Sequence, residues 1–99
     1  MVLLLVPNQY YYSTMNNKQR RTLERMFSRP TPPGLRWADV TSLLGAVGVE
    51  VTERSGSRVL LKKGAERIVV HRPHPDPETG RATVRDIAAF LEAIGVRPK

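Results

Sequence analysis

The sequence predicts an α+β domain in which helices cover one face of a three-stranded antiparallel sheet, and three observations predict it. Trp37, Val40, Leu43, Leu44 and Val47 recur at three- and four-residue spacing, a single apolar stripe on a helix over 37–47 that Gly48 can end. Three short β-prone runs follow, 49–54, 57–63 and 66–71, separated by Ser55-Gly56 and Gly64-Ala65, both of which read as two-residue hairpin turns. Val84, Ile87, Leu91 and Ile94 then form the stripe of a last helix closed by Gly95. This helix, strand, strand, strand, helix order fills residues 37–96, and a chain of 99 residues leaves no room for a second core.

Within these elements the period-two rule sets the faces. Val49 and Val51 share one side of the first strand and Ile68 and Val70 one side of the third, so the sheet has a buried side for the helices and a wetter side. His71 alternates with Arg67 and Val69, opposite Ile68 and Val70, and is expected on the open side. Thr83 with Asp86 three residues on reads as a capping box for the last helix. Trp37, at the head of an apolar stripe, reads as core rather than as a stacking platform.

Residues 15–36 form a basic helix and a linker ahead of this domain. Asn16 or Asn17 can cap the helix, Leu23, Met26 and Phe27 share one side of it, and Lys18, Arg20, Arg21, Arg25 and Arg29 give it a cationic remainder that Pro30 ends. Thr31-Pro32-Pro33-Gly34 is stiff rather than floppy. In residues 1–14 the run Val2 to Val6 is far short of the roughly twenty apolar residues of a membrane span and lacks a preceding basic region. Pro7 and Asn8 end that run and Tyr10-Tyr11-Tyr12 follows; an added edge strand, a disordered tail, or upstream sequence ahead of a start at Met15 all fit residues 1–14, with a start at Met15 favoured.

Sixteen Lys and Arg against nine Asp and Glu give a net charge of +7, which favours a polyanionic partner: nucleic acid or an acidic protein. The absence of cysteine excludes a disulfide framework and thiolate metal sites and suits a reducing cytosol, so a cytoplasmic location is expected. The chain's two histidines lie in Ile68-Val69-Val70-His71-Arg72-Pro73-His74-Pro75, where an apolar strand runs into a proline-stiffened loop. Histidine is the side chain whose ordinary titration falls near neutral pH, so this is the place to look for proton-transfer chemistry. A metal needs three or four ligands, and His71 and His74 supply two, with Asp76 and Glu78 the nearby carboxylates; no metal or other cofactor is expected. Glu78 reads as a solvated loop charge. No Gly-rich phosphate loop follows a strand, and Ser55-Gly56-Ser57 has no evident base beside it, so nucleotide hydrolysis and serine catalysis lack support.

The turn Gly56-Ser57 before the second strand, and the spacing of His74-Pro75, Glu78 and Thr83-Val84, resemble the HicA (YcfA-like) toxins of bacterial toxin–antitoxin systems. Met15 to Glu24, with His71 to Pro75, resembles a branch of that family carrying an extra N-terminal helix. The resemblance implies a double-stranded-RNA-binding-domain-like fold and a ribosome-independent, metal-independent endoribonuclease acting on mRNA, neutralised by a cognate HicB-like antitoxin. It also implies a catalytic histidine directly after the Gly-Ser turn, and here that position is Arg58. Arginine stays protonated and cannot take a proton from a ribose hydroxyl, though it can bind phosphate or stabilise a transition state. Two readings follow. In one, proton transfer passes to His71 or His74, with Arg58 and Arg72 as phosphate clamps; His71 is preferred because a strand fixes geometry better than a loop, leaving His74 to orient substrate. In the other, the chain binds RNA or antitoxin without cutting. Lys18, Arg20, Arg21 and Arg25 read as RNA-backbone contacts, as a docking surface for an acidic antitoxin, or as the polar face of a packed helix.

Overall fold

The computed structural model describes residues 13–99, and the readings made for Val2 to Val6 and for Tyr10 to Tyr12 lie outside the described residues. Among the described residues the helices and strands follow one another as α1 (Asn17–Phe27), α2 (Trp37–Ala46), β1 (Glu50–Glu53), β2 (Arg58–Lys63), β3 (Glu66–His71) and α3 (Arg81–Ala93). The strands form one antiparallel sheet in the order β1-β2-β3. From α2 to α3 the order and the sheet are consistent with a double-stranded-RNA-binding-domain-like fold, an α+β architecture with α1 added in front.

Asn16 is the cap of α1. Its side-chain oxygen accepts from the Gln19 N–H at 2.8 Å while the Gln19 side chain accepts from the Asn16 N–H at 2.9 Å, so two of the helix's orphan donors are satisfied reciprocally. Leu23 and Met26 are fully buried and Phe27 half-buried, on the side the stripe assigns. The helix packs on α2 and α3, and the Gln19 amide donates to the Ser42 hydroxyl of α2 at 2.9 Å. Past Pro30 the linker is held down by buried Leu35 and by the Arg25 guanidinium, which donates to the Pro33 carbonyl at 2.9 Å.

In α2, Val40, Leu43 and Leu44 are buried, as is Val47 at its C-cap, while Trp37 packs half-buried against the same core. Gly48 follows with φ +82°, a conformation that a residue with Cβ adopts only with strain. Val59, Leu61 and Val70 from the sheet meet Val84, Ile87, Phe90 and Leu91 of α3 in the same cluster, which also takes in Met15 and Val96. The core is therefore continuous from α1 to the end of α3.

Three local expectations are corrected. Helix α3 starts at Arg81 behind Gly80, with no side-chain cap; the Val84 N–H already bonds the Gly80 carbonyl at 3.0 Å, so Thr83 sits inside the first turn and cannot supply the extended cap its box with Asp86 requires. The first hairpin is longer than two residues: the Arg54 N–H bonds the Arg58 carbonyl at 2.8 Å, leaving Ser55-Gly56-Ser57 as the connection. Val51, on the helix side of β1, is 37% exposed, because β1 is an edge strand and α2 meets it without covering that position.

Two stability predictions follow. Leu91→Asp places a carboxylate where no solvent reaches and should abolish the cooperative thermal transition followed by circular dichroism; a soluble variant that melts cooperatively would show the α3 stripe to be misread. Asn16→Ala removes the cap and should cost about 1 kcal/mol in urea denaturation, with an unchanged m-value.

Candidate nucleic-acid interface

The second hairpin builds the site. Gly64-Ala65 is a two-residue turn with Gly64 at φ +61°, and it sets Lys63 opposite Glu66; five residues back along each strand, Arg58 comes opposite His71. The Arg72 N–H donates to the Ser57 carbonyl at 2.7 Å, making those two a hydrogen-bonded pair and Arg58 with His71 the adjoining non-hydrogen-bonded pair. Side chains of such pairs stand closest, with Cβ atoms roughly 4.5–5.5 Å apart. Both are exposed, and they lie on the face of the sheet that carries Arg67, Val69, Lys62 and the nearly buried Leu60, opposite the side chains of Val59, Leu61 and Val70.

Arg58 is anchored. Its Nε donates to the Ser55 carbonyl at 3.2 Å and its Nη2 to the Ser55 hydroxyl at 2.8 Å, so the turn holds the guanidinium at the end of the sheet. Arg54, one residue past β1, turns to the same face, and with Ser55, Arg58, Leu60, Arg67 and Val69 it lines a cleft of about 450 Å³. Among the described strand residues Glu50 is the one acid facing this way. Among the described residues the ion pairs Lys18–Asp39, Arg72–Glu53 and Arg97–Glu92 all lie elsewhere.

Arg72 does not join Arg58. One residue beyond His71, alternation turns it to the helix side, where its Nη1 meets the Glu53 carboxylate at 2.9 Å. His74 is exposed on the proline loop after β3, and the His74-Pro75 peptide is cis. That loop is pinned to the linker: the Trp37 N–H bonds the Pro77 carbonyl at 2.9 Å and the Thr79 N–H bonds the Leu35 carbonyl at 2.7 Å, which pairs the backbones of Arg36 and Glu78 in an isolated antiparallel bridge. The Glu78 side chain is exposed, and its N–H bonds the Asp76 carboxylate at 3.0 Å in an Asx-type turn.

The cations of α1 belong to the helical layer, on the other side of the sheet from Arg58 and His71. Lys18 pairs with Asp39 at 3.3 Å, Arg20 donates to the Asn17 side chain at 3.1 Å and Arg25 ties down the linker, while Arg21 is exposed. A second groove, about 400 Å³ between β3 and α3, is edged by Glu66 and Asp86 over Phe90; its carboxylates make it a poor seat for a polyanion. Among the described residues no three His, Cys, Asp or Glu side chains gather in a group that could hold a metal ion, and no helix is long and apolar enough to cross a membrane.

Arg54 and Arg67 are the residues that reading for histidines passed over. Arg67 could have been found from the alternation that aimed His71 outward, and the Arg58–His71 pairing from counting back along the strands from the Gly64-Ala65 turn.

Comparison with known proteins returns no significant match among curated proteins and none among solved structures. A family model described as "HicA toxin of bacterial toxin-antitoxin" matches residues 37–96. That span takes in both helices that flank the sheet, all three strands and the face where Arg58 meets His71. The chain belongs to the HicA toxin family.

Proposed function

We propose that this chain is the toxin of a toxin–antitoxin pair and a metal-independent endoribonuclease acting on mRNA from the open face of its sheet, with a HicB-like antitoxin as its acidic counterpart. The observation that carries this reading is the cross-strand pairing of Arg58 with His71. The family's resemblance puts the catalytic histidine where Arg58 stands, and a histidine on the neighbouring strand directly opposite can reach the same substrate atoms. His71 takes the proton of a ribose 2′-hydroxyl as that oxygen attacks the adjacent phosphorus. The bond from phosphorus to the 5′-oxygen breaks, the leaving oxygen takes a proton from His71 or solvent, and a 2′,3′-cyclic phosphate remains. Arg58, held by Ser55, stabilises the charge that develops on the phosphoryl oxygens. His74, on the pinned loop, orients the chain of the substrate. Arg72 can contribute a phosphate contact only by giving up Glu53, so Arg58 has the larger share.

The competing reading, a module that binds RNA or antitoxin without cutting, is favoured by the arginine at 58 and is separated by the same experiment. Wild type, His71→Ala and His74→Ala are induced in a host without the antitoxin, and the purified proteins are incubated with transcript. His71→Ala should lose cleavage by roughly 10²–10⁴-fold and relieve growth arrest, with a smaller loss for His74→Ala. Adding Arg58→His to His71→Ala should return part of the activity, because it restores the arrangement the family implies. A folded His74→Ala that is inactive beside a fully active His71→Ala would exchange the two roles. Uncleaved transcript with the wild type would leave the binding module.

A further inference from the structure

We infer that the cleft among Arg54, Arg58 and Arg67 seats one nucleotide of single-stranded RNA, its base against Leu60 and Val69 and its phosphates among the guanidinium groups. This rests on the RNA reading above and adds what form of RNA is held and by which residues.

The floor of the cleft is apolar. Leu60 and Val69 are cross-strand partners on this face; Val69 is 57% exposed and supplies the accessible part of the floor, while Leu60 keeps 9% of its surface beside it. Its rim is cationic, and Arg54 and Arg67 have no hydrogen-bond or ion-pair partner among the described residues. Arg58 is already fixed in place by its two bonds to Ser55, so ordering it on binding costs little. The volume, about 450 Å³, falls in the ~300–1,000 Å³ range of small-ligand sites. An apolar floor inside a cationic rim matches a ligand with a flat apolar face and attached anions. A nucleotide has both, and guanidinium planes also stack on bases. A phosphate chain or an acidic peptide would use only the rim. In a duplex the base faces are buried in the stack and cannot reach the floor. His71 follows Val69 by two residues on the same strand and face, so the seated nucleotide adjoins the reacting bond.

The test uses the full chain carrying His71→Ala, so that substrate is not consumed. Binding is measured over a range of salt for a short single-stranded oligoribonucleotide, the same sequence as a duplex, inorganic polyphosphate and polyglutamate of matched charge. Arg54→Ala and Arg67→Ala should each weaken single-strand binding by about tenfold and lower the salt slope by about 0.7. Arg85→Ala, an exposed cation on α3, should leave both nearly unchanged. Val69→Thr, which keeps the shape but adds a hydroxyl to the floor, should weaken the oligoribonucleotide and not polyphosphate. Losses for Arg54→Ala and Arg67→Ala no larger than for Arg85→Ala would overturn the site. Polyphosphate or duplex binding as tight as the single strand would remove the base seat. Tighter binding of polyglutamate would make the cleft a dock for an acidic protein segment. Melting curves show which variants are folded, and Arg67→Lys, which keeps the charge without the fork, provides a milder change if Arg67→Ala is not. Wild-type cleavage is assayed in parallel: cleavage without cleft binding defeats this inference alone, and cleft binding without cleavage defeats only the catalytic reading.

Discussion

Pairing between β2 and β3 leaves Val59, Leu61 and Val70 on one side of the sheet and Arg58, Lys62, Arg67 and His71 on the other. Because side chains alternate with period two, a slip of β3 by one residue would bring His71 and Arg67 under the helices and lift Val70 into water. Burying a guanidinium without a partner costs several kcal/mol, far more than any single contact at the surface returns. The hydrophobic core and the basic face are thus fixed by the same hydrogen bonds, and neither can be moved without the other.

Charge is sorted along with hydrophobicity. On the helical side, carboxylates stand close to cations: Asp39 to Lys18, Glu53 to Arg72. These pairs are largely exposed and contribute little to stability, but they cancel field locally. On the open face, among the described strand residues, Glu50 is the one acid beside Arg58, Lys62 and Arg67.

Much of the fold was legible in the sequence because its helices announce themselves by stripes: Val40, Leu43, Leu44 and Val47, then Val84, Ile87 and Leu91, are buried as their spacing requires. The three strands and the Gly64-Ala65 turn were legible for the same reason, since β-branched runs ended by glycine have few alternatives. Starts and turns were harder. Thr83 has the chemistry of a cap, yet tertiary packing begins the helix at Arg81, and the Ser55-Gly56 pair looks like a tight turn until the Arg54–Arg58 bond lengthens it. The site was half legible. That His71 points outward followed from alternation, but which residues meet it depends on register, a relation between strands that no single stretch contains. Phe90 and Leu35, both buried, lay outside the stripes that were read.

Helix α1 lies ahead of the span that matches the family, yet Leu23 and Met26 on it have no exposed surface. They fill the space between α2 and α3. Fragments of this chain should therefore be judged by the surface they uncover. A piece beginning at Trp37 would keep every residue of the open face and lose the lid of its own interior, leaving two helices with an apolar seam open to water. Seams of that kind recruit one another, so such a fragment would be more prone to clump than to act as a smaller version of the whole.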